Sequence, residues 1–552
     1  MPKDFLKKGL SILLARQTNI LSAAFIIMVT IILSQVLGLI RQRLLVGIFG
    51  ASNTLGIYLA SSKIPDFLFQ LVIAGALSSA FIPIFSEYLG KGKEKDAHRL
   101  ASTLLIWSLI IFSILSLIIF IFAQYFSHLI APGFSAEQII LMSNLMRIII
   151  FGEMLFLIGS FLTAVLQSYS HFFIPGIASA LYNLGIIIGI ITLYPVIGIF
   201  SAAYGVILGA GIFILVQLPL IFKVGFSFIP SLSIKSSGAL EVLKLIWPRT
   251  ISIAIFQLGT MITVALVSFL PNPGRNYVIF DYAQTLAFAP IVLFGQAIAQ
   301  AAFPVLSREK DRLDDFKETF ITSLNQVLYL VLPVSVLFLV LRIPIVRLIY
   351  GAAAFDWQAT VLTGRTLAFF SISIFAQALV YLISRGFYAL HDTKTPLYVG
   401  TITTIMMASL GFLFIFIYHL GIESIAIAYS IATIINFLFL FLLLDRKIKG
   451  FKKMPLIRSI SKIFISTFFM GFALYIPIKL LDQLVFDTTR TINLLLLTGI
   501  SSMIGFSLYL FLTWFLNVKE ATTFLLLFKK IGNWKEILGK SEEVIDGTRL
   551  NP

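Results

Sequence analysis

The chain has 552 residues, of which 59% are hydrophobic and 12% charged. Soluble domains run at about 25% charged and about 45–50% apolar, so a water-soluble fold is excluded and the whole chain reads as membrane domain. Cysteine is absent, which removes disulfides, thiolate nucleophiles and thiolate metal sites together, and the formal net charge of +16 lies in loops, where membrane lipids rather than nucleic acid account for it.

Apolar runs of membrane-spanning length recur along the chain. The first follows Lys3, Lys7, Lys8 and Arg16 and continues to about Ile40 without a small-residue cleavage site, so it reads as a span and not as a signal peptide. In chain order the expected spans are 18–46, 55–88, 99–126, 139–166, 173–194, 199–223, 240–269, 278–305, 318–341, 360–390, 396–418, 421–444, 457–480 and 492–516. The fold expected is therefore all-α and polytopic, with about fourteen transmembrane helices.

Loop charge alternates along this series. Lys91, Lys93, Lys95 and Arg99 follow the second span, Lys223 and Lys235 the sixth, Arg308, Lys310, Arg312 and Lys317 the eighth. Arg446, Lys447, Lys449, Lys452, Lys453 and Arg458 follow the twelfth, whereas the intervening loops carry little beyond Arg275 and Arg490. The positive-inside rule then places both termini in the cytoplasm.

An internal repeat is written over the spans. Ala80-Phe81-Ile82-Pro83-Ile84-Phe85-Ser86-Glu87 resembles Ala301-Ala302-Phe303-Pro304-Val305-Leu306-Ser307-Arg308, with 304 − 83 = 221. Phe134 and Phe355 are 355 − 134 = 221 apart, as are Pro175 and Pro396, each time between a span and the sixth one after it. Gly198-Ile199-Phe200-Ser201 echoes Gly421-Ile422-Glu423-Ser424 at a slightly larger offset. An even number of spans per copy gives both copies one orientation, so two pseudo-symmetric six-helix lobes are expected, at 1–225 and 226–445. Two further helices fill 446–516, and 517–552 form a cytoplasmic tail. Rocking of such lobes exposes a central cavity to each side in turn, which is transporter geometry and not catalysis.

Ionisable residues inside spans cost about 2.5 to 3.5 kcal/mol each on insertion, so each needs a reason. Arg41 and Arg43 end the first span, Lys63 and Asp66 flank Pro65 in the second, Arg147 and Glu153 lie in the fourth, and Arg249 and Asp281 open the seventh and eighth. For Arg43, Arg147 and Arg249 the plain explanation is snorkelling. Lys63 and Asp66, three apart, either neutralise each other or contact substrate. Arg41 lies close after Gly38, and a guanidinium in a cavity suits a pyrophosphate through paired, charge-assisted hydrogen bonds. The histidines His98, His128, His171, His391 and His419 fall in or beside loops without metal-ligand spacing, so no metal or cofactor is expected. No convergent pair of intramembrane carboxylates is evident.

Several segments carry a resemblance. They are Ser34-Gln35-Val36-Leu37-Gly38-Leu39-Ile40-Arg41, Ile48 through Ala51, Lys63-Ile64-Pro65, Gly75 through Glu87, Ala131-Pro132-Gly133-Phe134, Phe303 through Arg308, Gly351 through Asp356 and, most specifically, Arg385 through Pro396. In these the chain resembles the lipid II flippase family (MurJ, also called MviN), within the multidrug, oligosaccharidyl-lipid and polysaccharide exporters. The resemblance implies export of the undecaprenyl-pyrophosphate-linked peptidoglycan precursor across a bacterial plasma membrane. It also implies alternating access driven by membrane potential or a cation gradient, with no ATP site.

Carried onto this chain, the family motifs imply substrate contacts at Arg41, Lys63, Gln35, Gln284, Thr285 and Asp66. The chain departs from the pattern at several of them. Gln35 and Phe69 stand where the family has arginines, Gly56 and Ala74 where it has acidic residues, and Gln284-Thr285 where it has an Asp-Arg pair. The loss of cations leaves two other functions open. One is export of another lipid-linked glycan or a less anionic lipid; the other is a transport-inactive scaffold that recruits cell-wall synthesis proteins through the tail, with Lys519, Lys529, Lys530 and Lys535. That tail also reads as an interfacial amphipathic helix.

Overall fold

The computed structural model describes residues 20–76, 81–233, 254–255, 257–352, 354–451, 453–484 and 490–522. In hydrocarbon every backbone amide needs an internal partner, and the described elements are accordingly helices. In chain order they are α1 (Ile20–Phe49), α2 (Asn53–Ser61), α3 (Lys63–Ala76), α4 (Ile82–Gly90), α5 (Glu94–Ile121), α6 (Ala123–Ile130), α7 (Ala136–Ser168), α8 (Phe173–Ile197) and α9 (Phe200–Lys223). There follow α10 (Gln257–Ser268) and α11 (Pro273–Pro290), which runs through a wide π turn, Ile291–Gln296, into α12 (Ala297–Arg308). The series closes with α13 (Leu313–Val340), α14 (Arg342–Tyr350), α15 (Trp357–Ser371), α16 (Ile374–Ala389), α17 (Lys394–Phe412), α18 (Glu423–Lys447), α19 (Lys453–Leu484) and α20 (Thr491–Phe515).

Among the described residues eleven helices are long and apolar enough to cross a membrane, or up to twelve when α15 and α16, bent by 44°, count as one span. Two of the fourteen expected spans account for the difference. The second is broken between α2 and α3, because the Ser61 and Ser62 hydroxyls turn back onto the Tyr58 and Leu59 carbonyls and Pro65 has no amide to continue a ladder, and its residues 77–80, between α3 and α4, lie outside the described residues. The seventh falls largely outside the described residues, and α10 is its described part.

The helices gather into two compact units, one of Met1–Asp281 with Ile349–Leu362 and Ala408–Ile425, the other of Tyr282–Leu348 with Thr363–Met407 and Ala426–Pro552. In the first unit α8 and α9 are pressed together through facing glycines. A Cβ on Gly185 would lie 2.6 Å from the Gly209 Cα, and one on Gly189 would lie 2.6 Å from the Gly205 Cα. Small residues four apart on both helices thus replace side-chain interdigitation by backbone contact, which lipid alone does not drive. In the second unit α20 packs on α19 and the buried Tyr509 hydroxyl donates to the Tyr329 carbonyl oxygen at 2.7 Å.

The 221-residue repeat also appears in backbone conformation. Phe134 N–H donates to the Ala131 oxygen at 3.0 Å and Phe355 N–H to the Ala352 oxygen at 2.9 Å. The next residue caps a helix in both places: Ser135 accepts from Gln138 N–H, and Asp356 accepts from Ala359 N–H, with 356 − 135 = 221. Left-handed backbone recurs at Ser170 (φ 62°) and His391 (φ 58°), 391 − 170 = 221, and at Gly198 (φ 56°) and His419 (φ 51°), 419 − 198 = 221.

Two of the histidines expected at the interface are enclosed by the protein and not open to water. His98 is buried, its Nε2 2.8 Å from the Tyr169 hydroxyl, and His171 is buried too. His98 opens α5 below its apolar stretch, where α7 and the segment after α9 close over it.

Candidate functional site

The site in the first unit is built on the break after α2. Ending the helix at Ser62 places Lys63 and Asp66 in the first turn of α3, where free backbone amides favour the carboxylate of Asp66. Ser62 Oγ donates to Asp66 Oδ2 at 3.1 Å. Lys63 does not pair with Asp66, the local partner that their spacing suggested. Its Nζ reaches Asp281 Oδ1 on α11 at 3.4 Å, with the two side chains 22% and 17% exposed. The same Nζ stands 5.8 Å from the centre of the Tyr277 ring.

Arg41 is carried toward this group by one stripe of α1. Ser34 and Gly38 lie on the face that meets α8, where Ser34 Oγ donates to the Ser179 oxygen at 3.2 Å and Asn183 Nδ2 donates to Ser34 Oγ at 3.3 Å. A Cβ on Gly38 would meet Asn183 Oδ1 at 3.9 Å, so the glycine serves helix packing. Arg41 follows close after on that face and is half-buried, within electrostatic reach of Tyr58, Asp66 and Tyr182. Glu153, from the middle of α7, completes the group. It is only 6% exposed, faces Asp66, Tyr58 and Tyr182, and makes no hydrogen bond among the described residues.

The first unit therefore gathers Arg41, Lys63 and Asp66 of the expected contacts, and adds Glu153, Asp281, Tyr58, Tyr182 and Tyr277. Gln35 is exposed on α1, while Gln284 and Thr285 are half-buried on α11 in the segment that belongs to the second unit. The carboxylates that the sequence left scattered, Asp66, Glu153 and Asp281, all act on one neighbourhood. Nothing in their positions along the chain reveals this, since they come from three different helices.

The departures from the family pattern have local causes. A Cβ on Gly56 would lie 1.9 Å from the Gly274 carbonyl oxygen, so no acidic side chain fits there. Phe69 packs on Phe156 with ring centres 5.1 Å apart, and Phe156 in turn meets Tyr182 at 4.7 Å and Phe213 at 4.9 Å. An aromatic stack occupies the arginine's place.

The remaining cations serve structure. Arg43 does not simply snorkel: it donates to the Ile349 and Gly351 oxygens at 3.3 and 3.0 Å, closing the C-terminal end of α14. Arg147 donates to the Phe120 oxygen and to Asn144 Oδ1 at 3.1 and 3.0 Å. Arg249 lies outside the described residues. Arg275, an exception in a cation-poor loop, forms a two-pronged pair with Asp356 at 2.8 and 2.9 Å. The hydrogen bonds from Arg275 hold the Asp356 carboxyl below the usual carboxylate range. In the second unit, burial would raise Asp392, but bonds from Lys447 and Thr395 outweigh it and hold the carboxyl at about 2. Among the described residues no group of three or more His, Asp or Glu side chains is gathered closely enough to hold a metal ion.

A family model described as lipid II flippase MurJ matches residues 45–516. A curated relative from Buchnera aphidicola subsp. Schizaphis graminum, "Probable lipid II flippase MurJ", is 26% identical over 88% of this chain and 96% of its own length. The solved structure "Lipid II flippase MurJ, inward closed conformation" aligns with a TM-score of 0.71 at 25% identity, covering 88% of this chain and 98% of that one. An inward-facing multidrug transporter of the MATE family, at 15% identity over 76% of this chain and 96% of its own, shares the fold with a TM-score of 0.65.

Proposed function

The chain belongs to the lipid II flippase MurJ family, and from that premise we propose that it carries the undecaprenyl-pyrophosphate-linked peptidoglycan precursor from the inner to the outer leaflet of a bacterial plasma membrane by alternating access. The observation that carries this proposal for the present chain is the convergence of Arg41 and Lys63, two cations from different helices, on one intramembrane polar cluster. Guanidinium and ammonium groups in a low-dielectric site bind pyrophosphate oxygens through charge-assisted hydrogen bonds, and Arg41 is the stronger candidate because it alone offers a planar fork. Alternating access on this reading is a rocking of the repeat lobes 1–225 and 226–445, with both termini cytoplasmic. Gln35, Gln284 and Thr285 would offer hydrogen bonds to the sugar or phosphate without adding charge.

A second substrate class is favoured by a specific feature. Lys63 is already paired with Asp281 and an aromatic stack replaces a cation at Phe69, so a lipid-linked glycan with a less anionic headgroup is also accommodated. Expression in a bacterial strain depleted of its own flippase, combined with an assay of lipid II accessible at the outer leaflet, separates the two. Growth with outward lipid II supports the first. Well-expressed protein with neither points to the second substrate class or to the transport-inactive scaffold.

A further inference from the structure

The chain that leaves the first repeat copy for the second is fastened along one helix. α9 ends at Lys223, and the amides of Gly225 and Phe226 close its last turn on the Phe222 and Ile221 oxygens, with Gly225 at φ 78°. Residues 226–233 then run without helix beside α5. Ser227 N–H donates to His98 Nδ1 at 3.4 Å, Ile229 N–H donates to Ser102 Oγ at 2.9 Å, and Trp107 Nε1 donates to the Leu232 oxygen at 3.2 Å. From the first anchor to the last, α5 advances 107 − 98 = 9 residues and the segment 232 − 227 = 5. That is about 14 Å of helical rise against about 16 Å of extended chain, so the two stay in register. Phe228 and Leu232 are 54% and 63% exposed, so little packing backs these hydrogen bonds.

The protonation of His98 decides whether the first anchor holds. A backbone amide can only donate, so Nδ1 accepts and carries no proton, and the ring proton sits on Nε2, 2.8 Å from the Tyr169 hydroxyl at the end of α7. Both nitrogens of the neutral ring are then in use. A second proton has only Nδ1 to occupy, where it sets donor against donor at the Ser227 N–H. The surroundings offer that cation little. From α4 the ring meets Phe85, with centres 6.5 Å apart, while Glu87 and Lys91 of that helix pair with each other. From the 226–233 segment it meets Phe226 at 5.0 Å, and no side chain of that segment titrates. On α5 itself Glu94, one turn earlier, is the charge whose field reaches it. We propose that residues 226–233 form a strap that the neutral imidazole of His98 latches to α5 and that a proton on this ring releases. The connection between the repeat copies thereby becomes sensitive to acid on the side of the membrane where Lys91, Lys93 and Lys95 lie. The docked strap is present at neutral pH and lost as pH falls through the imidazole's titration. The latch does not depend on the substrate, whereas any effect on transport rests on the flippase reading.

The experiment is hydrogen–deuterium exchange of the purified full-length chain in lipid nanodiscs at about pH 8 and about pH 5, on either side of the ordinary imidazole value of about 6.5. It is read on peptides covering 224–233, corrected for the pH dependence of intrinsic exchange, with peptides from α8 and α9 as the control. Wild type should be protected at the higher pH and lose about tenfold of that protection at the lower, the factor expected for one hydrogen bond, while the control peptides stay unchanged. His98→Asn, whose side-chain oxygen can stand in for Nδ1 and does not titrate, should keep its protection at both values. Ser102→Ala should lower protection at both and leave the fall with pH in place. Absence of protection in wild type at the higher pH, protection that acid leaves unchanged, an equal loss in the control peptides, or the same fall in His98→Asn would overturn the proposal. Failure of wild type to rescue the flippase-depleted strain would defeat the lipid II reading and leave the latch standing.

Discussion

The two copies of the repeat share loop geometry but not polar chemistry. At the 221-residue offset Lys63 is matched by Gln284, Asp66 by Ala287, Glu153 by Ile374 and Tyr182 by Thr403. The backbone features that shape the loops, such as the caps at Ser135 and Asp356 and the left-handed residues Ser170 and His391, recur faithfully. Helix ends and turns are therefore held by a requirement common to both copies, the need to satisfy backbone groups at the membrane boundary. Intramembrane charge is concentrated in the first copy, with Asp281 as the second copy's contribution to the same cluster. That asymmetry is what a headgroup site lined mainly by the first copy would produce, since the counterparts Ala287, Ile374 and Thr403 are buried and carry no charge.

The largest test of this contrast is Lys63→Met against Ile374→Val. The first leaves Asp281 without its lysine, and because the pair is half-buried the cost is a part of the about 3–5 kcal/mol that breaking a fully buried pair carries. It should abolish rescue and lower the thermal midpoint in detergent. The second lies at the counterpart of Glu153, costs about 0.5–1.5 kcal/mol and should leave rescue intact. Equal loss in both would mean that the charge asymmetry has no functional content.

Gly56→Ala sharpens the comparison from the packing side. Its Cβ would meet the Gly274 backbone at 1.9 Å, and with no flexible side chain to yield, a cost of about 1–3 kcal/mol or more is expected. A thermal melt that matches wild type would show that α2 and α11 tolerate separation there.

Arg275→Ala gives the smallest effect, about 1 kcal/mol, through the weakened cap at Asp356. Because the Asp356 carboxyl lies below the usual range in the folded chain, its contribution is present at neutral pH and lost as pH falls through that lowered value. The variant should therefore be less stable than wild type at neutral pH and converge with it in acid, as followed by thermal melts across pH. Lys447→Met should act the same way through Asp392, whose carboxyl sits at about 2.

The helices and the repeat were legible in the sequence because both follow from composition and spacing. Runs of apolar residues fix spans, and Pro83, Phe134 and Pro175 have partners at one offset. The break within the second span was not legible, because hydropathy does not register the serine hydroxyls at Ser61 and Ser62 that end α2. Arg41, Lys63 and Asp66 were legible as charges without an excuse in an apolar run. Their partners were not. Asp281 meets Lys63 from 218 residues away and Glu153 approaches Asp66 from another helix, and no local pattern encodes a tertiary approach. The burial of His98 was missed for the same reason, since Tyr169 and Ser227 come to it from distant segments.

The most direct test of the central claim is the amount of lipid II exposed at the outer leaflet in flippase-depleted cells that express either wild type or Arg41→Ala at equal levels. The account predicts outward lipid II with wild type and its loss with Arg41→Ala. Full outward lipid II with Arg41→Ala would contradict it.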